Sequence, residues 1–405
     1  MGYDEPGRST TAEPSSGVPA AVLENVFDDP AHGEPGRDRV GVHVVWELIL
    51  LVALVTLAVL LWRRDPAALR GDGLRTLLVD MVALGLLTLA AGLSLRTAAV
   101  NLAVGPVAVA AGLHFAEQGD RGVAAATVPA LLVAALGGLA LALAVVVLHV
   151  PGWAASLAGA AGVIVYIERR AEPVLVQGEY DPHRTAWYLF AGFAAAAVFG
   201  GLFGAIRSVR RLVGRFRPVA DPARRRGVLA GFVAGGALVG STVLAVLAGI
   251  LIAANGSGPV APTSGLDWTV LAVGVAMLAG TSAYGRRGGI VGTLLAVCLA
   301  AVFLSWSSAQ DWTISRWATG GVVLAGGLVV TRLVEAFGRP RSAREETTEP
   351  TPAGDGAISS GWTLPRPTPV ESWPPVMPTQ PTEPPAQWEG PRWEPGPSRW
   401  DTGDR

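Results

Sequence analysis

Between residues 42 and 337 the chain repeats apolar runs long enough to cross a lipid bilayer. Roughly 20 apolar residues are needed for one helical crossing. Lipid offers the backbone no hydrogen-bond partner, so continuous runs of this kind must close their bonds internally, as helices. The runs predict ten membrane helices, at about 42–62, 76–95, 98–116, 123–149, 152–167, 186–206, 227–253, 267–283, 288–307 and 316–337. The expected fold is an all-α, polytopic membrane helix bundle. Its expected organisation is a disordered N-tail over 1–41, a transmembrane domain over 42–337 and a disordered Pro/Trp-rich tail over 338–405. The fifth helix is short, and the third begins beside Asn101 and carries Pro106. Both are candidates for broken or re-entrant segments.

Composition narrows the chemistry. Charged residues make up 16% of the chain, against about 25% in soluble domains. All 31 basic residues are arginine. Without lysine the chain has neither the P-loop lysine nor an amine for Schiff-base chemistry. The single cysteine, Cys298, rules out an intrachain disulfide or thiolate cluster. Five scattered histidines form no H-x-x-x-H or H-E-x-x-H pair. No paired carboxylates, nucleophile elbow or His–carboxylate relay stands at catalytic spacing. Neither an enzyme nor a bound cofactor or metal is expected, and a net charge of −1 gives no sign of a nucleic-acid partner.

The tails differ from the bundle. Residues 1–41 hold eight acidic residues and three arginines, and no cleavable leader is expected there. Residues 339–405 hold fifteen prolines and five tryptophans, a composition that favours extended polyproline II. This tail is read as either a partner anchor or a spacer.

Arginine placement sets the expected orientation. Eight arginines in residues 207–226 put that connection in the cytoplasm. Residues 254–266 carry no positive charge and fall outside, 286–287 inside, 308–315 outside and 332–344 inside. Both termini are then cytoplasmic. Two connections dissent, since 63–75 and 168–185 carry arginines yet count as external. Gly200/Gly204, Gly231/Gly235, Gly236/Gly240 and Gly288/Gly292 have the small-xxx-small spacing that lets helices approach closely in lipid.

Asn101 and Gly105 share one helix face. A polar amide at membrane depth must be paired or line a cavity. Asp80 sits a turn inside an apolar run. With His114, Glu117, Glu168 and the Glu179–His183 turn it is a candidate for an outer solute mouth. Asn101, Gly105, Asp80 and His114 are therefore the candidate substrate pathway, with a capped helix start and solvated loop ends as the plainer alternatives.

Two stretches carry a family resemblance. Ala98-Ala99-Val100-Asn101-Leu102-Ala103-Val104-Gly105 resembles the G-G-I-D-L-S-V-G segment of ribose/xylose-type ABC importer permeases, with Asn101 where that family usually has Asp. Leu266-Asp267-Trp268, followed by Leu278-Ala279-Gly280-Thr281-Ser282-Ala283-Tyr284-Gly285-Arg286-Arg287-Gly288-Gly289 and Gly292-Thr293, is similar to the family's E-L-D-A and L-G-G-T-S-x-x-G-G-x-G segments. The resemblance spans roughly residues 45–337. It implies a permease subunit in a bacterial cytoplasmic membrane, moving a small sugar-like solute. The implied partners are an ABC ATP-binding subunit, an extracellular solute-binding protein, the lipid bilayer and a second permease copy or homologue. It further implies an ATPase-coupling segment at Asp221, Pro222, Arg224, Arg225 and Arg226, with Asp221 as N-cap and Pro222 as first helical residue. It marks an inner turn at Gly285, Arg286, Arg287 and Gly288. The coupling segment lacks the family's Gly-Gly pair, and its arginines suit anionic lipid heads equally well. A scaffold or sensor that kept the fold and works through its tails is the alternative function.

Overall fold

The computed structural model describes residues 40–206, 209, 228–281 and 289–338. Both tails, the expected coupling residues Asp221, Pro222, Arg224, Arg225 and Arg226, and the expected inner turn at Gly285, Arg286, Arg287 and Gly288 lie outside the described residues.

Ten α-helices are present among the described residues. They are α1 (Val40–Arg64), α2 (Gly71–Arg96), α3 (Val104–Gln118), α4 (Val123–Val146), α5 (Gly152–Ile167), α6 (Ala186–Ala205), α7 (Val228–Asn255), α8 (Leu266–Leu278), α9 (Gly292–Ala309) and α10 (Arg316–Gly338). No strand occurs among these residues; one isolated antiparallel bridge joins Val174 to Val260. The chain is a helical membrane bundle. Among the described residues six segments are long and apolar enough to cross a membrane: five lie within α1, α2, α4, α7 and α9, and the sixth, Pro182–Ala205, joins a 3-10 turn to α6. The others are shorter or less apolar. At 1.5 Å per residue, α3 with 15 residues and α8 with 13 extend only about 22 and 20 Å, against roughly 30 Å for the hydrocarbon core.

Local chemistry fixes the ends. Asp65 accepts from the Ala67 backbone N–H at 3.0 Å and starts a 3-10 turn over Pro66–Leu69 between α1 and α2. Pro106 falls in the first turn of α3, where its missing N–H would have had no helical partner anyway. Gly280, with φ +92°, ends α8 in a Schellman pair: Thr281 N–H to Ala276 O and Gly280 N–H to Met277 O.

Helices α2 and α7 form the centre of the bundle, while α1, α4 and α6 turn most of their apolar surface outward. Burying such surface gains nothing from the hydrophobic effect in lipid, so close backbone approach must hold helices together. Gly249 of α7 lies against the Ala108 carbonyl of α3, and Gly138 of α4 lies against Val239 of α7. Of the expected small-residue pairs, Gly231 and Gly235 seat Val146 and Ala142 of α4, and Gly240 seats Leu93. Gly236 meets nothing within 4 Å. Helices α8 and α10 run side by side and parallel, with Gly274 against Leu324 and Gly327 against Met277.

Contacts sort the connections into two ends. Arg64 Nε donates to Ala309 O, Thr76 meets His183, Asn255 Nδ2 donates to Thr76 O, and Val174 pairs with Val260. Residues 65–70, 168–185, 256–260 and 310–315 therefore share one end, here called the polar end. The arginine-bearing connections 63–75 and 168–185 thus lie beside 254–266 and 308–315, as helix counting requires. Val40, Gly338 and the chain leaving α6 at Ile206 lie at the opposite end.

Candidate functional site

Three features bear on function. The first is an interior junction. Between Thr97 and Ala103 the chain is unwound, with Ala98 at φ 54°. An open backbone inside a bundle must find partners from side chains. Asn101 is fully buried; its Oδ1 accepts from Ala103 N–H at 3.0 Å and its Nδ2 donates to Ser241 Oγ of α7 at 2.7 Å. Ser156 of α5 accepts from Leu102 N–H at 3.0 Å and donates to Val100 O at 2.9 Å. Thr269 of α8 accepts from Gly105 N–H at 3.0 Å and donates to Leu102 O at 3.1 Å. One amide and three hydroxyls, three of these four groups from other helices, thus anchor the unwound chain.

At this junction the starts of α3 and α8 cross. A Cβ on Gly265 would stand 2.6 Å from Gly105 O, and one on Gly105 would overlap the Gly265 carbonyl. Gly265 also holds φ +72°. Residues 256–265 run from the polar end, where Asn255 sits, down to this crossing. Asp267 is buried in the first turn of α8 and binds Arg316 of α10 at 2.8 Å; that guanidinium lies 4.2 Å over the Trp268 ring.

The second feature is a cavity of about 330 Å³ at the polar end, lined by Asp65, Gly73, Thr76, Leu77, Asp80 and Ser305, among others. Asp80 accepts from Asn255 Nδ2 at 2.7 Å. Thr76 Oγ1 is 3.2 Å from His183 Nε2, and His183 Nδ1 is 2.8 Å from Asp181 Oδ1. Two carboxylates and two hydroxyls line the cavity, and no cation does.

His114 and Glu117 belong elsewhere. Glu117 is gripped at both carboxylate oxygens by Arg170, with Arg170 Nη2 to Oε2 at 2.8 Å. That carboxylate holds the guanidinium pKa above its usual value, and the Tyr166 ring lies 4.5 Å beneath it. His114 Nε2 is shielded and meets no partner among the described residues. Of the expected pathway, Asn101 and Gly105 therefore meet at the junction, Asp80 lines the cavity, and His114 joins neither.

The third feature was not anticipated. Trp46 and Glu47, consecutive on α1, hold the facing ends of α8 and α9. Trp46 Nε1 donates to Leu278 O at 2.8 Å, at the last turn of α8. Glu47 Oε1 accepts from Val291 and Gly292 N–H at 2.8 and 3.0 Å, at the first turn of α9. A carboxylate at a helix N-terminus satisfies open donors and meets the positive end of the dipole. A carboxylate inside an otherwise apolar run was the signal available in the sequence.

No protein-family model, curated protein or solved structure matches the chain.

Proposed function

We propose that the chain is the permease subunit of an importer for a small polar, sugar-like solute, energised by a separate ATP-binding-cassette subunit. The single observation behind this reading is the junction of α3 and α8. Both helices are too short to span the hydrocarbon core, and they start where an unwound chain is held by side-chain hydroxyls. Transporters build midplane sites from interrupted helices of this kind. The likeness of residues 98–105 and 266–293 to ribose/xylose-type permeases adds to it.

In this reading the end bearing Val40 and Gly338 faces the cytoplasm of a bacterium. Solute arrives from an external binding protein at the polar end, near the Asp80 cavity. Asn101, Ser241, Ser156 and Thr269 exchange their mutual hydrogen bonds for solute hydroxyls as the junction opens. The ATPase pushes on residues 207–226 and on the α8–α9 turn, and α1 carries the motion through Trp46 and Glu47. Two permease copies frame the pathway, and the chain performs no covalent chemistry.

The test is gentle-detergent purification of the tagged protein from its native membrane, followed by uptake of labelled ribose and xylose. A stoichiometric ATP-binding-cassette subunit, with uptake lost in D221A/R224E at unchanged membrane abundance, is expected. Purification without such a subunit defeats the reading.

One observation favours a scaffold or sensor instead: the Asn101, Ser156, Ser241 and Thr269 side chains of the junction already have partners within the chain. Deleting residues 345–405 then abolishes partner capture, whereas a permease keeps its ATPase.

A further inference from the structure

Arg96 closes α2 at the end opposite the cavity. Its side chain is half-buried, Nε is fully shielded, and no partner for Nε is present among the described residues. The nearest acceptor is Gly200 O of α6, 3.5 Å from Nη1. No carboxylate pairs with this guanidinium among the described residues; Glu47, the acid that reaches the same end from α1, is committed to the α9 backbone.

Arginine stays charged in proteins, and its fork presents five donors. An uncompensated guanidinium at a membrane boundary is costly. The C-terminal dipoles of α2 and α6 offset part of that charge, but they leave the Nη2 donors of the fork without an acceptor. The surface beside it is cut to shape. A Cβ on Gly204 would stand 3.3 Å from Nη1, and Gly200 meets nothing within 4 Å. Glycine at both positions leaves a notch along α6 next to the fork.

We propose that Arg96, in the α6 glycine notch, binds the phosphate of an anionic phospholipid of the leaflet at this end. Two oxygens of a phosphodiester match the planar fork, and the acyl chains lie against the exposed apolar residues Phe199, Leu202 and Phe203 of α6. The inner leaflet of a cell membrane supplies such heads in excess. This site is independent of any transport role.

The test uses the full-length protein. Native mass spectrometry counts lipids retained from micelles of equal phosphatidylglycerol and phosphatidylcholine. Thermal unfolding is then followed while phosphatidylglycerol, phosphatidylcholine or inorganic phosphate is added. Phosphatidylglycerol is expected to stabilise saturably, and phosphatidylcholine and inorganic phosphate are not. R96Q is expected to retain one phosphatidylglycerol fewer and to need about fivefold more lipid for the same shift. G204V, which keeps the charge but fills the notch, reports the same loss and decides the matter should R96Q fail to fold. An unchanged lipid count in both variants, or equal stabilisation by phosphatidylcholine, overturns the proposal. A shift reproduced by inorganic phosphate overturns it too, by assigning the site to a free anion.

Discussion

Gly105, in the first turn of α3, lies backbone against backbone with Gly265, the residue before α8. Two short helices from distant parts of the sequence thus start at one point inside the bundle. No side chain separates them, and Thr269 spans the contact with one hydroxyl that accepts from Gly105 and donates to Leu102.

G105A and G265A are expected to be among the most damaging single changes. Each forces a methyl into a carbonyl, and Gly265 also needs its left-handed backbone. A loss of at least about 3 kcal/mol is expected, at the upper end for point substitutions. G162A is the control, because a Cβ there meets nothing within 4 Å. Size-exclusion profiles and thermal unfolding in detergent check this; monodisperse, wild-type-stable G105A refutes it.

Asn101 and Ser241 are expected to couple energetically. N101A leaves the buried Ala103 N–H and Ser241 without their present partners, at about 1–3 kcal/mol. In a double-mutant cycle with S241A the two losses are expected to be less than additive, by about 0.5–3 kcal/mol. Strict additivity rules out the pairing.

Removing the Glu47 cap is expected to loosen α9 before the rest of the bundle. E47A costs about 1.5–3 kcal/mol, the range for hydrogen bonds to a charged group. E47Q keeps an acceptor oxygen and costs less. Hydrogen exchange at Val291 and Gly292 accelerates in E47A, while exchange at the α8 end rises only in W46F. Unchanged protection at both amides contradicts the cap.

The Pro182–Thr185 turn is expected to open in acid. The Asp181 carboxyl lies below its usual range, first because it accepts the His183 backbone N–H and then through the His183 ring and Arg184. A depressed native value means the link is intact near neutral pH and is lost as pH falls through that value. The His183 amide, corrected for intrinsic exchange, therefore loses protection only below the ordinary carboxylate range of about 3.9. D181N removes this pH dependence; an unchanged profile in D181N excludes Asp181 as its source.

The ten helices were legible because each is a continuous apolar run, and nine of them began within about five residues of their expected starts. The third began later, because Asn101 and its neighbours are unwound and α3 starts only at Val104. The expected eighth run, 267–283, stops at Leu278 because Gly280 adopts a left-handed cap, a matter of backbone geometry rather than hydropathy. Asn101 stood out as a polar residue at depth. Its partner Ser241 lies 140 positions away, beyond the reach of any local period. Asp80 and His183 were grouped at one mouth, and the Asn255 and Thr76 side chains and backbone do bring them together. His114 was grouped with them because it is polar and near a helix end, a pattern that carries no information on azimuth.

Glu47 and the amides it caps also impose an order on synthesis. The carboxylate sits on α1, while Gly292 follows 245 residues later. At about 5–20 residues per second, that interval is roughly 12–50 s. For all of that time α1 carries an acid whose native partners do not yet exist. An insertion machinery that retains α1 at its lateral opening until α9 emerges spares the acid from lipid; one that releases helices singly leaves the newborn chain exposed to quality-control proteolysis.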